Sequence, residues 1–323
     1  MNQPPQDRLT LTITAEEAGE RLDRILGARE LGFSRSTLQR WIREGRVELE
    51  GRAVRASSRP ERGDRVVVRP APPPTTELLP QALALEVLFR DQHLAVVVKP
   101  AGMVVHPAAG HADGTLVNAL LYHLGEPEGG SERQRPGIVH RLDAGTSGVM
   151  VVARSERAHA GLSELFARHD IERCYQAIAL GHPEPSFTIR SLHGRHPVDR
   201  KRFSGRVQRG KPAVTHVQLQ ERLHGASLLQ CRLETGRTHQ IRVHLSEHGH
   251  ALIGDPVYGH KSRDPRLRQA AEVLGRQALH AGLLGFAHPV TAEPLRFEVE
   301  PPEDFRRALQ LLRGDDRPCD PRF

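Results

Sequence analysis

The sequence predicts an α+β protein built from two domains. At 323 residues the chain is longer than a single hydrophobic core usually organises. Residues 70–80, PAPPPTTELLP, hold too many prolines for a helix or a central strand and are typical of a semi-rigid linker. We therefore expect a small domain at 11–69, a proline-rich linker at 70–82, a larger domain at 83–310 and a disordered tail at 311–323.

The small domain is predicted to contain one amphipathic helix. Ser34 is the expected N-cap, and Gly45 stands where the helix would end. Leu38, Trp41 and Ile42 share one face of that helix, which should pack inward. The following segment RGDRVVVRP is rich in β-branched residues and predicts a short strand.

The charge of the chain favours a polyanionic partner. The formal net charge is +7 and the isoelectric point is about 9.9, and clustered cations gain affinity by displacing counterions from phosphates. Only four of the 46 basic residues are lysines, and arginine suits bidentate phosphate recognition. Arg35, Arg40 and Arg43 lie mostly off the apolar face of the helix. By themselves these charges fit a solvated helix face as well as an RNA-binding one.

The larger domain mixes strand-like and helical segments. The runs LAVVVKP, VMVVAR and SLLQCRLE predict strands, whereas GTLVNALLYHL and ERAHAGLSELFARH have the apolar spacings of three and four that predict helices. These segments interleave without a regular βαβ period or an internal repeat. The pattern predicts an α+β domain with a largely antiparallel or mixed sheet.

Composition argues against export, membrane insertion and disulfides. Cys174, Cys231 and Cys319 are far apart and form no CxxC pair, which indicates neither a disulfide framework nor a cysteine zinc site. The amino terminus lacks the pattern of a signal peptide, and no apolar run approaches the roughly 20 residues that span a bilayer. We expect a cytoplasmic protein without membrane contact.

Two hydrolase mechanisms fit the sequence poorly. The segment GTSGV has Val149 where a serine nucleophile elbow, G-x-S-x-G, needs its last glycine. Retaining glycoside hydrolysis needs a second carboxylate about 5 Å from Asp143, and no acid close in sequence supplies it.

A metal site is also not expected. The segment HQIRVHLSEHGH is the densest histidine cluster of the chain, with His239, His244, His248 and His250. Only His244 and His248 have the four-residue separation of helical zinc ligands, and the glycine after His248 marks a probable helix end. The sequence therefore predicts no metal.

Three separated stretches carry the residues that we expect to do chemistry. HRLDAGTSG holds Asp143, ERCYQAIALG holds Tyr175, and LETGRTHQIRVHL holds Arg237 where a strand pattern changes into a helix pattern. Each residue alone has an ordinary explanation, since an acid in a glycine-rich loop caps turns and a strand tyrosine belongs to the core.

Together these stretches resemble the RluA family of pseudouridine synthases. KPAGMVVHP, KPAVTH, GDPVYG and QALHA extend the match from Leu94 to about Pro289. Most of residues 16–69 resembles the S4 RNA-binding domain, although Glu50 stands before Gly51 where that domain often has Asn. The body departs at Ala144, where many members have Lys, and at Phe203, where an aliphatic residue is common.

The resemblance implies an enzyme that isomerises uridine in RNA, with 23S ribosomal RNA of the large subunit as the expected substrate. It assigns Asp143 as the nucleophile, Arg237 as its cationic partner, and Tyr175 as the ring that stacks on the uracil and as a possible proton acceptor. His140 and Arg141 are expected to contact RNA, with Arg141 helping to occupy the space of the flipped nucleotide. No cofactor is implied, and we expect a monomer.

Two other functions remain open at this point. The chain could be a ribosome-associated S4 protein whose body no longer catalyses, or it could use Asp143 to hydrolyse a nucleoside or glycoside. The second alternative predicts activity without RNA and no loss when residues 1–70 are deleted.

Overall fold

The computed structural model describes residues 8–29, 31, 33, 35–70, 78–107, 111–125, 137–199, 202–260 and 262–314. The chain divides into two compact units, Met1–Glu77 and Leu78–Phe323. In the described part of the chain, no helix is long and apolar enough to cross a membrane.

The first unit packs two helices on a four-stranded antiparallel sheet of order β1-β4-β2-β3. Leu38, Trp41 and Ile42 are buried in its core against Val66 and Val68, which confirms the predicted apolar helix face and the predicted strand. Ser34, the predicted N-cap, lies outside the described residues. The elements are β1 Leu9–Thr12, α1 Leu22–Ala28, α2 Arg35–Arg43, β2 Val47–Leu49, β3 Arg52–Ala53 and β4 Arg65–Val68.

The turn between β2 and β3 holds Glu50, the residue before Gly51, in a left-handed conformation. Glu50 and Gly51 both have positive φ angles, 49° and 76°, as a tight two-residue hairpin turn requires. Asn adopts this left-handed conformation more readily than Glu does. The Glu50 carboxylate accepts a hydrogen bond of 2.5 Å from the backbone N–H of Arg65, which compensates for part of this strain.

The second unit is organised by a ten-stranded sheet. Its order is β10-β9-β11-β12-β8-β13-β7-β6-β5, with β14 pairing with β13. The strand pairs are antiparallel except for β13 with β7, so the predicted α+β class and mixed sheet are confirmed. The strands are β5 Glu86–Arg90, β6 Leu94–Lys99, β7 Ser147–Ala153, β8 Glu172–Leu180, β9 Ser186–Arg195, β10 Phe203–Ser204, β11 Lys211–Leu223, β12 Ala226–Leu233, β13 Leu279–Ala287 and β14 Pro294–Glu298.

In the described part of the second unit, five helices accompany this sheet, and two of them were predicted from apolar spacing. The first begins with a capping box between Thr115 and Asn118, and the second is capped by the Ser155 side chain, which accepts from the N–H of Ala158. The helices are α3 Leu116–Leu124, α4 Glu156–Arg168, α5 Gln240–Glu247, α6 Pro265–Leu274 and α7 Glu303–Arg313.

The structure corrects the predicted start of the carboxyl-terminal tail. Residues 311–313 belong to helix α7, and Leu312 is buried in an apolar cluster with Phe305 and Leu309. The apolar spacing of α7 therefore continues into the segment that was expected to be disordered. Residues 315–323, the rest of that prediction, lie outside the described residues.

The predicted linker, 70–82, also extends too far, because its last residues belong to the second unit. Residues 71–77 lie outside the described part, but residues 78–82 belong to the second unit. The Asn118 side chain donates to the carbonyl of Leu79 at 2.9 Å, and the N–H of Gly114 donates to the Gln81 side chain at 2.8 Å. These contacts attach residues 79–81 to the start of α3.

Candidate active site

The residues singled out in the second unit surround one cavity of about 450 Å³. Its walls come from the loop before β7, the end of α4, the first half of β8, and the turn that leads from β12 into α5. Of the carboxylates in the described residues, Asp143 alone lines this cavity. Four arginines line it as well: Arg141, Arg173, Arg237 and Arg242. The charge of this cavity therefore favours an anionic occupant.

Asp143 projects from a tight turn that a buried lysine stabilises. The N–H of Thr146 donates to the Asp143 carbonyl at 3.0 Å and closes the turn. The Lys99 ammonium donates to the carbonyls of Ala144, Met103 and Pro100 at 3.1, 2.8 and 2.8 Å. Lys99 is fully buried, and this burial lowers the pKa of its ammonium to about 7, although the charge of Asp143 opposes the shift.

The two glycines of HRLDAGTSG are needed for packing. A Cβ on Gly145 would lie 2.4 Å from the Gln277 side chain, and one on Gly148 would lie 2.2 Å from the carbonyl oxygen of Ala281. Gly148 also has a φ of 126°, which residues with side chains rarely adopt. These glycines let β7 approach β13 closely and so fix the end of the loop that carries Asp143.

The partner of Asp143 is Arg242, and the prediction that Arg237 plays this part is wrong. Arg242 Nη1 donates to Asp143 Oδ2 at 2.8 Å. The other two nitrogens of this guanidinium, Nε and Nη2, bind the two carboxylate oxygens of the fully buried Asp255 at 2.8 and 2.9 Å. The Tyr258 ring lies beside the same guanidinium, with its centroid 5.1 Å from Cζ. Asp255 thus fixes the arginine that orients Asp143.

The geometry of the turn before α5 decides which arginine reaches Asp143. His239, directly before the helix, has a left-handed φ of 58°. The Gln240 side chain accepts from the Thr235 hydroxyl at 2.7 Å and from the N–H of Arg237 at 3.0 Å, which anchors the turn. Arg242 then points from the first turn of the helix to Asp143, while Arg237 Nε donates to the Pro212 carbonyl at 3.1 Å.

Two further side chains complete the surroundings of Asp143. His239 Nε2 lies 3.8 Å from Asp143 Oδ1, and its Nδ1 lies 3.0 Å from the Tyr258 hydroxyl. Burial lowers the pKa of His239 although the Asp143 charge raises it, so the imidazole is neutral at pH 7. Sequence reasoning did not assign His239, Arg242, Asp255 or Tyr258 to the site, although their segments were quoted for the resemblance.

Tyr175 lies on β8 with its side chain against the cavity, where its ring can face an entering base. It is about nine-tenths buried in the main core, and its hydroxyl makes no hydrogen bond with the described residues. Burial raises the pKa of this phenol, with the charge of Asp143 acting in the same direction. The phenol of Tyr175 is therefore in its neutral form at neutral pH.

The predicted RNA contacts differ in how free their side chains are. Arg141 is exposed at the cavity and makes no hydrogen bond with the described residues. His140 accepts from the N–H of Val151 at 3.1 Å and stacks on Phe166, and burial lowers the pKa of its imidazole to about 3. His140 is thus a neutral side chain that attaches the loop to β7, and a charged contact with phosphate is not available to it.

The three arginines predicted in the first unit are only partly described. Arg40 Nε lies 3.8 Å from Glu44 Oε1, and Arg43 Nε donates to the Gln39 carbonyl at 3.5 Å. Both contacts are weak and solvent-exposed, which leaves these guanidinium groups available to phosphates. The side chain of Arg35 lies outside the described residues.

The histidines of HQIRVHLSEHGH are used in hydrogen bonds. His244 contacts the hydroxyls of Thr215 and Ser191, both at 2.9 Å. His248 and His250 contact the carbonyls of His244 and Leu180, also at 2.9 Å. Within the described ranges, no group of three or more His, Cys, Asp or Glu residues is placed to hold a metal ion.

Comparisons with known proteins agree with this arrangement. Residues 93–247 match the family model described as RNA pseudouridylate synthase, and residues 20–66 match the S4 domain. "Ribosomal large subunit pseudouridine synthase D" of Zymomonas mobilis is 45% identical over 311 residues, which cover 95% of this chain and 98% of that protein. The protein of the same name from Pseudomonas aeruginosa is 43% identical, and the match covers 93% and 94% of the two chains.

Solved structures give the same family for the catalytic unit. The structure titled "Human RNA Pseudouridylate Synthase Domain Containing 1" aligns with a TM-score of 0.54 at 26% identity, covering 72% of this chain and 87% of that one. The resemblance inferred from HRLDAGTSG and its companion motifs is confirmed. The chain belongs to the RNA pseudouridine synthases, as a member that carries an S4 domain before the catalytic unit.

Proposed function

We propose that this enzyme converts uridine to pseudouridine in the 23S RNA of the large ribosomal subunit, with Asp143 as the nucleophile. The observation that carries the assignment is the Asp143 carboxylate, which a doubly held arginine orients into a basic cavity beside Tyr175. The substrate is proposed from the printed names of the relatives, several of which are ribosomal large subunit pseudouridine synthases.

The reaction needs only the groups that the cavity supplies. The bond from C1′ to N1 of uracil breaks, the base turns, and a bond from C1′ to C5 forms, while the C5 proton is lost and N1 gains one. The atoms of the nucleotide are conserved and no electrons are exchanged, so neither an oxidant nor an external donor enters the balance. Asp143 attacks C6, attacks C1′, or removes a 2′ proton; each route uses it as an ionised carboxylate held by Arg242.

The surrounding residues divide the other tasks. A uridine inside folded RNA must leave its stack before Asp143 can reach it, which costs a few kcal/mol. Arg141, which is exposed beside the nucleophile, would occupy the vacated space. Tyr175 would stack on the detached uracil and keep it in the cavity while it turns.

The first unit would add affinity for the surrounding RNA. Arg35, Arg40 and Arg43 would bind phosphates through one helix, which fixes the position of the RNA but reads little sequence. We further propose that the enzyme acts as a monomer in the cytoplasm, where ribosomal RNA is made.

The experiment that tests this function maps pseudouridine in ribosomal RNA by carbodiimide-dependent reverse-transcription stops. Three strains are compared: one with the natural protein, one lacking it, and one carrying only the Asp143→Asn form. We expect the same large-subunit positions to lose signal in the second and third strains. An Asn form that retains the modification would make Asp143 structural and would favour an S4 binding protein without catalysis.

A further inference from the structure

Arg173 is a buried arginine beside the cavity that none of the roles above uses. It lies on β8 two residues before Tyr175, and only 8% of its surface is exposed. Its Nη2 donates to the Glu234 carbonyl at 2.9 Å, and its Cζ lies 5.6 Å from the centroid of the Phe166 ring. Arg173 therefore lies beneath the turn that carries Arg237.

The hydrogen-bonding capacity of Arg173 is largely unused. Its buried Nε has no acceptor in the structure, and its Nη1 makes no hydrogen bond with the described residues. The Nε–H and Nη1 groups lie on different edges of the guanidinium, and Nε has no exposed surface, so Nη1 is the unused donor that a ligand in the cavity can reach. A ligand oxygen that accepts from Nη1 would satisfy a donor that the described residues leave without a partner.

Arg237 also lines the cavity without a carboxylate partner among the described residues. Arg237 uses its Nε on the Pro212 carbonyl, and no carboxylate of the described residues lies within ion-pair distance of either Arg237 or Arg173. Burial lowers the pKa of Arg173, and the nearby charge of Arg237 acts in the same direction. Two arginines that repel each other without an anion between them would both be stabilised by one.

We propose that Arg173 and Arg237 form a phosphate site that binds a backbone phosphate flanking the target uridine. The inference rests on the proposed function, because an RNA substrate supplies the phosphate. Arg237 was predicted to be the partner of Asp143, a position that Arg242 occupies in the structure. The phosphate site gives Arg237 a different role in the same cavity.

The dimensions of a nucleotide fit this assignment. Side chains two residues apart on a strand lie on the same face, with their Cα atoms about 7 Å apart. A uracil that stacks on Tyr175 would bring its own ribose and flanking phosphates into the cavity that Arg173 also lines. The phosphodiester is the one formally anionic part of such a nucleotide, and its two non-bridging oxygens can accept from Nη1 of Arg173 and from the guanidinium of Arg237.

The competing explanation is that Arg173 only supports the turn through the Glu234 carbonyl and the Phe166 ring. Replacing Arg173 would then slow the reaction on every RNA by the same factor. A phosphate-binding arginine behaves differently, because removing the arginine and removing the phosphate charge delete the same interaction and their effects do not multiply.

The test uses 23S RNA into which a synthetic segment has been ligated around the uridine that the mapping experiment identifies. One RNA has natural linkages, and two carry a neutral methylphosphonate at the phosphate on either side of that uridine. Single-turnover rates are measured for the natural protein, Arg173→Met and Arg237→Met. Arg190→Met is the control, since Arg190 is exposed on β9 and does not line the cavity.

We expect one methylphosphonate to slow the natural enzyme and the Arg190 control by about 10- to 100-fold, as expected for charge-assisted hydrogen bonds. Arg173→Met and Arg237→Met should be slow on natural RNA and lose little more on that methylphosphonate. Arg173→Lys keeps the charge and the stem, and should recover part of the rate if Arg173→Met folds poorly.

Two results would overturn the inference. One is a natural enzyme that tolerates both methylphosphonates without loss, which leaves no phosphate for these arginines to bind. The other is a methylphosphonate penalty that is undiminished in both arginine variants, which makes Arg173 and Arg237 supports of the turn. If the natural enzyme forms no pseudouridine in unmodified RNA, the proposed function itself fails, and the phosphate site is rejected with it.

Discussion

Arg242 and Arg173 line the same cavity and are both buried, but their partners differ. All three nitrogen groups of Arg242 are bound within the protein, one to Asp143 and two to Asp255. Arg173 makes one hydrogen bond with the residues that the structure describes, to the carbonyl of Glu234. A fully bound arginine is fixed and can orient a catalytic carboxylate, whereas one with unused donors is prepared for an incoming group. In the proposed mechanism, Arg242 serves the chemistry and Arg173 binds the RNA.

Among changes to residues that surround Asp143, the largest effect is expected from removing the support of the bound arginine. Asp255→Asn cannot hold both nitrogens of Arg242 as charge-assisted acceptors, so Arg242 and Asp143 lose their fixed geometry. We expect the single-turnover rate to fall by about 100-fold, as for a misplacement of roughly 1 Å. The free energy of unfolding should fall by about 3 kcal/mol, because a buried charge loses its partner. RNA affinity should change little.

A surface ion pair provides the control for Asp255→Asn. Glu221 pairs with Arg313 at 2.5 Å, but both side chains are more than a third exposed. Glu221→Gln should therefore change the unfolding free energy by less than about 1 kcal/mol and leave the rate unaltered. A fully active Asp255→Asn enzyme would contradict the view that Arg242 must be held from both sides.

Lys99 is a second bound cation of the site, and it should make stability depend on pH. Burial lowers its folded-state pKa to about 7, whereas an unfolded lysine has a pKa near 10.4. Between these values the unfolded chain binds the extra proton, so the contribution of Lys99 becomes more favourable as pH rises. From pH 7 to pH 9 this contribution should increase by about 2 kcal/mol.

Comparison with Lys99→Met isolates this contribution, because other groups titrate alike in both proteins. Urea unfolding of the second unit is followed by circular dichroism at several pH values, since the single tryptophan, Trp41, reports on the first unit. The difference in unfolding free energy between the natural protein and Lys99→Met should move in favour of the natural protein with rising pH. A difference that stays constant from pH 7 to pH 9 would show that Lys99 is charged throughout.

Arg35, Arg40 and Arg43 of the first unit should contribute to RNA affinity through their positive charges. Changing Arg35, Arg40 and Arg43 to Ala should weaken RNA binding about tenfold at moderate salt and reduce the slope of log affinity against log salt by up to about 3. Binding is measured by filter retention over a salt series. The matched control changes the same three residues to Lys, which keeps the charges and the slope. An unaltered slope in the Ala protein would remove these residues from the RNA interface.

The smallest effect is expected for Glu50→Asn, a change outside the cavity that should alter only the stability of the first unit. Glu50→Asn places a residue that tolerates φ of 49° in the turn between β2 and β3. We expect the first unit to gain up to about 1 kcal/mol, seen as a higher urea midpoint of Trp41 fluorescence. A lower midpoint would mean that the hydrogen bond from Arg65 to the Glu50 carboxylate outweighs the backbone strain.

Much of the architecture followed from local patterns. The helix that contains Trp41 and the strands β6, β7 and β12 were predictable because periodicity and turn residues depend on neighbouring residues. The end of α7 was not predicted because the sequence after Leu312 is charged and contains proline, whereas the apolar spacing that continues the helix to Leu312 is short.

The choice between the two arginines of GRTHQIRVH could not be made from spacing. Which of them reaches Asp143 depends on the left-handed conformation of His239 and on the direction of α5, and both are set by tertiary contacts. One signal was available, since Arg242 stands between Ile241 and Val243 in a short apolar helix. A buried arginine requires carboxylate partners, and Asp255 of GDPVYG was within the same motif set.

The central claim, that the Asp143 carboxylate is the catalyst, is tested most directly by single-turnover reaction of purified Asp143→Asn with 23S RNA. Product is measured as release of tritium from C5-labelled uridine, and RNA affinity is measured on the same preparation. The account predicts that Asp143→Asn binds the RNA with the affinity of the natural protein. It also predicts that this variant releases no more tritium than a reaction without enzyme. Release at even a hundredth of the natural rate would contradict it, because an amide at this position cannot act as the nucleophile.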